Sequence, residues 1–194
     1  ISLRIFSNLS MATPVLSAEP AIENEFFAVL WGDEFIYSDP PRLAQMMEVH
    51  QKYGGAVISG VRIPHKADLK RYGIADVETV EGNVYKIKNI VEKPDPDKAP
   101  SNLATHGAYI LPPEIFDILR SQKPGTGGEI YLPEAIDALI KTGYPVYTCE
   151  IKDAHYYDTG NKLEYMKTVV QFALKHPDIS SDFREFLKTV NLDR

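Results

Sequence analysis

The segment that most constrains the fold of this chain lies near its start. An unbroken run of six apolar residues at 26–31 is followed directly by Gly32, Asp33 and Glu34. A short apolar run of this kind predicts a strand that is buried on both faces of an α/β sheet. Because open α/β sheets bind ligands at strand ends, carboxylates placed there indicate a functional site. A divalent cation holding a substrate phosphate would offset their charge. Solvated acids in a strand-end turn are the alternative, and this segment alone does not decide between the two.

Bulk properties exclude several classes of function. The 194 residues suffice for a real hydrophobic core, and we predict that residues 1–194 form one domain. A formal net charge of −6 provides no basic excess for nucleic acid or an anionic membrane. No apolar stretch approaches the roughly 20 residues of a membrane helix, and no signal peptide is visible. The single cysteine, Cys149, suits a cytoplasmic location and is interpreted as a packed core thiol rather than a nucleophile.

Strand and helix patterns alternate along the chain, with one hairpin inserted at Glu81-Gly82-Asn83. This order predicts an α/β fold whose mixed β-sheet is flanked by helices. Asn161 and Glu164 have the spacing of a helix capping box. Residues 1–11 contain no organised motif and are treated as an atypical N-terminus. The predicted strands are 26–31, 56–63, 73–80, 83–91, 105–111 and 144–151, and the predicted helices are 40–53, 112–119, 130–142, one following Asn161, and 181–190 within the terminal segment 179–194.

Three further motifs carry groups suited to binding. In Glu92-Lys93-Pro94 the lysine supplies a point charge for a phosphate and the glutamate accepts hydrogen bonds from sugar hydroxyls; an exposed ion pair is the alternative. A second acid, Asp158, precedes a helix, where ordinary turn chemistry is the alternative. The glycines before Glu129 allow close backbone approach to a ligand, or else form a flexible connection. The five histidines show no metal-ligand spacing.

The order of these motifs is more specific than any one of them. Over about residues 12–178 the chain resembles the bacterial UTP–glucose-1-phosphate uridylyltransferase family (UDP-glucose pyrophosphorylases), which are sugar-phosphate nucleotidyltransferases. The motifs that carry the resemblance are Ala28-Val29-Leu30-Trp31-Gly32-Asp33-Glu34, Lys70-Arg71-Tyr72-Gly73, Val91-Glu92-Lys93-Pro94, Ser101-Asn102-Leu103-Ala104, Gly107 with Tyr109-Ile110-Leu111, Gly127-Gly128-Glu129-Ile130 and Tyr157-Asp158-Thr159-Gly160-Asn161-Lys162.

The resemblance implies a Rossmann-like nucleotidyltransferase fold and transfer of a nucleotidyl group from UTP to glucose 1-phosphate, giving UDP-glucose and pyrophosphate. It implies that Asp33 and Asp158 are catalytic and bind Mg²⁺, and that Lys93 is catalytic and meets the sugar phosphate. A homo-oligomer is expected. The other substrate-binding residues that the family resemblance implies, in addition to Lys93, are Gly32, Gly73, Glu92, Gly107 and Glu129.

The family begins with a strand and a glycine-rich loop that hold the nucleotide, and residues 1–11 do not supply that segment. We therefore expect an N-terminally truncated form of the fold. Two alternatives remain open. The first is a non-catalytic fragment or assembly module that binds sugar phosphate. The second is a related thymidylyltransferase, because the residues that select the base would belong to the absent segment.

Overall fold

The computed structural model describes residues 12–123 and 130–191. The described residues separate into two compact units, one formed by residues 12–31, 38–123 and 130–154 and the other by residues 32–37 and 155–191. This division does not test the expectation of a single domain, which stays a prediction.

The strands are β1 (Phe27–Leu30), β2 (Glu34–Ser38), β3 (Ala56–Arg62), β4 (Gly73–Glu81), β5 (Val84–Glu92), β6 (Leu103–Leu111), β7 (Val146–Glu150) and β8 (Ala154–Asp158). The helices are α1 (Ala12–Ile22), α2 (Arg42–Tyr53), α3 (Ile115–Ser121), α4 (Leu132–Lys141), α5 (Lys162–Lys175) and α6 (Ser180–Thr189), with a 3-10 helix at Lys66–Arg71.

The first unit is built on a mixed sheet with the strand order β1-β6-β3-β7-β5-β4. Strands β3 and β7 run parallel, whereas the other ladders of this sheet are antiparallel. Strand β4 also pairs with β6, through Gly73 opposite Thr105 and Ile74 opposite Ala104. The pairings therefore close a circuit of five strands, β6-β3-β7-β5-β4 and back to β6. The predicted mixed sheet flanked by helices is confirmed.

The main core of the first unit lies between one face of this sheet and helices α1, α3 and α4. Ala56 and Ile58 of β3 belong to that core. Val57 stands between them and is also fully buried, and α2 packs against β3, β6 and β7. Because side chains alternate along a strand, β3 is covered on both of its faces.

The expectation that the strand at 26–31 is buried on both faces is wrong. Strand β1 alternates half-buried with exposed residues, and Leu30 is 50% exposed. Its inner face packs well, since the Phe27 ring stacks on that of Phe116 with centroids 4.9 Å apart. Among the described strands, β1 stands at one end of the strand order and pairs with β6, and only its inner face is covered by the core.

Turn and cap residues in the sequence predicted most ends of the helices and strands to within a few residues. The hairpin prediction is confirmed, with Gly82 at a φ of +57° between β4 and β5. Helix α2 begins two residues later than predicted, at Arg42. Helix α1 has no counterpart among the predicted helices, and Pro20 within it opposes a helical interpretation of the sequence. Within the described part of the chain, no helix combines the length and apolar character needed to span a bilayer.

The second unit pairs β2 with β8 and continues into α5 and α6, which pack together. The Asn161 side chain caps α5, because its oxygen accepts from the backbone N–H groups of Leu163 at 2.9 Å and Glu164 at 3.2 Å. The predicted capping box is only half present. The Glu164 carboxylate pairs with Lys167, and the Asn161 N–H donates to Asp158 instead.

Replacing Asn161 with alanine should lower the free energy of unfolding by about 1 kcal/mol, because two N–H groups of the first turn lose their acceptor. Urea unfolding followed by helical circular dichroism measures the loss. Asn161→Ser keeps an accepting side chain and should retain most of the stability. Equal losses in both variants would contradict capping by the side-chain oxygen.

Candidate active site

The two carboxylates predicted to bind a metal lie together in the second unit. Asp33 directly precedes β2, and Asp158 ends β8, the strand that pairs with β2. Thr159 follows Asp158 and donates twice to the backbone carbonyl oxygen of Asp33, from its N–H at 2.7 Å and its hydroxyl at 2.8 Å. The structure therefore joins two motifs that are far apart in the sequence.

Gly160 lies beside both carboxylates. A Cβ atom added to it would be 3.1 Å from Oδ2 of Asp33 and 3.4 Å from Oδ1 of Asp158. Two carboxylate oxygens thus adjoin one point, which fits Mg²⁺, an ion usually held by one or two carboxylates plus substrate phosphates. Across residues 12–123 and 130–191, no group of three or more histidine, cysteine, aspartate or glutamate side chains is arranged to hold a metal.

Lys93 lies in the first unit and has an unusual backbone. Its φ is +47°, a region that residues other than glycine rarely adopt, and Pro94 follows it directly. The Lys93 N–H donates to the carbonyl oxygen of Tyr72 at 3.0 Å, which helps to hold the strained conformation. The side chain is 59% exposed, and its Nζ lies 3.8 Å from Oε1 of Glu92. Strain of this kind concentrates at functional sites, and here it occurs at an exposed cation directly after β5.

Glu92 occupies space that Gly73 leaves open. The two residues pair across the β4–β5 ladder. A Cβ atom on Gly73 would be 3.0 Å from Oε2 of Glu92, 3.1 Å from Oγ1 of Thr105 and 3.3 Å from Cγ2 of Ile90. The Thr105 hydroxyl donates to the Gly73 carbonyl oxygen at 3.2 Å. The family resemblance implied that Gly73 binds substrate, but nothing in the sequence indicated a role for Thr105.

The Glu92 carboxyl is half-buried, and its environment disfavours its charge. Burial raises its pKa above the ordinary value of 4.5, Lys93 opposes that rise, and the nearby Glu134 adds to it. Glu134 is held by Gln122, whose Nε2 donates to Oε2 at 2.8 Å. Sequence reasoning missed Glu134, because its link to Glu92 exists only after α4 has packed.

Glu92→Gln should become progressively more stable than the parent protein as pH rises from about 4 to 7. Because the folded state holds the Glu92 proton more tightly, the unfolded chain releases its proton first and folding loses stability through this range. Glutamine cannot ionise and removes that loss. Urea unfolding at a series of pH values checks the trend, and a constant difference between the two proteins would contradict it.

Gly107 holds a backbone position that favours glycine. Its φ is +63°, and its carbonyl oxygen accepts from the Trp31 N–H at 3.1 Å. The β3–β6 register shifts between the pairs Ile58–Tyr109 and Gly60–Thr105, so Gly107 lies in the irregular stretch. A positive φ inside a strand is typical of a bulge that redirects the backbone.

The remaining predicted residues divide into three cases. A Cβ atom on Gly32 would meet nothing within 4 Å, so its backbone is openly accessible. Glu129 and the two glycines before it lie outside the described residues. Cys149 is 1% exposed, and burial raises its pKa to about 11, which confirms a core thiol.

The nucleotidyl transferase profile matches residues 6–174 of the chain. The chain therefore belongs to the nucleotidyl transferase family. Among curated relatives, it is 41% identical over 176 residues to the UTP–glucose-1-phosphate uridylyltransferase of Staphylococcus epidermidis, which covers 91% of this chain and 60% of the relative. It is 43% identical over 172 residues to the enzyme of the same name from Staphylococcus haemolyticus, covering 89% and 59%.

Solved structures agree with these sequence relatives. A UDP-glucose pyrophosphorylase complexed with UDP-glucose superposes with a TM-score of 0.83 at 33% identity, covering 90% of this chain and 66% of that one. A UTP-bound UGPase from Acinetobacter baumannii has a TM-score of 0.84 at 29% identity, covering 98% and 66%. The chain thus spans about three fifths of the length of the curated relatives that it matches.

Proposed function

We propose that this chain serves the transfer of a uridylyl group from UTP to glucose 1-phosphate, giving UDP-glucose and pyrophosphate. The observation that carries the proposal is the convergence of Asp33 and Asp158 on one point, beside Gly160, in a member of this family. The names of its relatives supply the substrates. In this reaction a phosphate oxygen of glucose 1-phosphate attacks the α-phosphorus of UTP, and the bond to the leaving pyrophosphate breaks.

The first unit would bind the sugar phosphate. Lys93 carries an exposed ammonium that attracts the phosphate, and Glu92 beside it accepts hydrogen bonds from glucose hydroxyls. Gly73 admits the Glu92 carboxylate, and Gly107 redirects the backbone of β6. Such groups act by holding reactants in a productive orientation, which accounts for much of the rate enhancement in group transfer.

Asp33 and Asp158 in the second unit would hold Mg²⁺ through their carboxylates. When bound, the ion would offset the negative charge of the nucleotide phosphates. Gly32, whose backbone is open, and Glu129 remain predicted substrate-binding residues. We further propose a cytoplasmic reaction, in keeping with a single buried thiol, and a homo-oligomeric assembly.

Pyrophosphate release from UTP and glucose 1-phosphate by the purified chain, with and without Mg²⁺, tests this function. The expected result is UDP-glucose formation that requires Mg²⁺. Calorimetric binding of glucose 1-phosphate without turnover would support the alternative of a non-catalytic sugar-phosphate module. A preference for dTTP would indicate a thymidylyltransferase.

A further inference from the structure

Thr159 links the two strands that carry the carboxylates. Its N–H and its hydroxyl both donate to the same acceptor, the Asp33 carbonyl oxygen, at 2.7 and 2.8 Å. Thr159 is also the direct neighbour of Asp158, whose Oδ1 accepts from the Asn161 N–H at 3.1 Å. Thr159 therefore anchors the backbone of Asp33 and is itself the direct neighbour of Asp158.

Gly160 provides space rather than an unusual backbone conformation. Its φ lies outside the left-handed region, so an L-residue could adopt its conformation. The position that a Cβ atom would take is 3.1 Å from Oδ2 of Asp33 and 3.4 Å from Oδ1 of Asp158, both closer than or at the edge of ordinary contact. A methyl group there would stand directly against both carboxylates and force one of them to move.

We propose that Thr159 and Gly160 are positioning residues that hold Asp33 and Asp158 as one divalent-cation site. Thr159 fixes the backbone of Asp33 through its two hydrogen bonds, and Gly160 keeps the space beside both carboxylates open. This inference rests on the proposed function, because it assigns the carboxylate pair to a metal. Residues that orient metal ligands without touching the metal commonly change affinity strongly.

Binding of Mn²⁺ alone to the purified full chain, followed by electron paramagnetic resonance, tests the proposal without any turnover. Thr159→Val removes the hydroxyl donor and keeps the side-chain shape, and we expect the dissociation constant for Mn²⁺ to rise about tenfold. Thr159→Ser restores the hydroxyl and should restore the parent affinity. Gly160→Ala, which leaves Thr159 intact, should weaken binding about tenfold or more.

Thr168→Val is the matched control. The Thr168 hydroxyl also donates to a backbone carbonyl in the second unit, that of Glu164 at 2.7 Å, but from within α5. We expect its loss to leave Mn²⁺ affinity unchanged, and thermal unfolding of every variant separates stability from binding. A purely structural role for Thr159 would lower the unfolding temperature of Thr159→Val and leave its Mn²⁺ affinity intact, which would overturn the proposal.

Asp33→Asn and Asp158→Asn distinguish failure of this inference from failure of the proposed function. If both lose Mn²⁺ binding while Thr159→Val and Gly160→Ala keep it, the positioning roles are wrong and the metal site stands. If the unaltered chain does not bind Mn²⁺, or if the two asparagine variants bind as well as the parent, both the site and the inference are overturned.

Discussion

Glutamine in place of Lys93 should weaken the binding of glucose 1-phosphate by about 10- to 100-fold, the equivalent of ~1.5–3 kcal/mol for a hydrogen bond to a charged group. The Lys93 ammonium is 59% exposed and engages Glu92 only at 3.8 Å, so it remains available to a phosphate. Glutamine keeps a similar length and hydrogen-bonding capacity but removes the charge. Isothermal titration of the purified chain with glucose 1-phosphate measures the change.

Lys66→Gln is the matched control for this measurement. Lys66 is similarly exposed, at 64%, and pairs with Asp97 at 2.7 Å, so its replacement removes an equal charge from the same unit. We expect the affinity of Lys66→Gln to match that of the parent chain. Equal weakening by both substitutions would show that net charge, and not the position of Lys93, governs binding.

Gly73→Ala should lower the free energy of unfolding by about 1–3 kcal/mol, the usual range for overpacking a filled site. The new methyl group would lie 3.0 Å from Oε2 of Glu92 and 3.1 Å from Oγ1 of Thr105, and both atoms belong to strands that pair with β4. Displacement of Glu92 should also weaken binding of glucose 1-phosphate. Urea unfolding and calorimetry measure the two effects on the same samples.

A double-mutant cycle with Glu92→Ala isolates the contact between Gly73 and Glu92. The penalty of Gly73→Ala should shrink in the Glu92→Ala background, because the closest atom has been removed. Gly32→Ala provides the control for stability, since a methyl group there would meet nothing within 4 Å. An unchanged penalty in the double mutant would assign the cost to Thr105 and Ile90.

Local signals predicted most of the fold because turn and cap residues act over a few neighbours. Gly82 and Asn161 both perform the roles that their residue types predict. The burial of β1 could not be predicted in this way. An apolar run such as 26–31 has the same composition whether one face or both faces of its strand are covered, and the elements that pack on the sheet decide which case holds.

In the candidate site, too, local sequence signals predicted some features, and others depend on tertiary packing. The motifs around Asp33 and Asp158 each suggested an acid at a strand end, and the structure brings the two acids together. No local pattern contained the reason for Gly73 or for Gly160. Gly73 adjoins Glu92 and Thr105, and Gly160 adjoins Asp33, all from distant segments. Glu134 escaped notice for the same reason, because its effect on Glu92 depends on tertiary packing.

The closed strand circuit has a consequence for how this chain reaches its native state. Its ladders join residues that are remote in sequence, such as Ala56 with Val146 and Val57 with Ile110. Topologies with high contact order fold slowly, because chain entropy must be lost before the long-range pairs form. β7 is the last strand of the circuit to leave the ribosome, and until it arrives β3 and β5 have no strand between them. Nascent chains that end before Val146 would therefore expose two adjacent unpaired edges to neighbouring polypeptides.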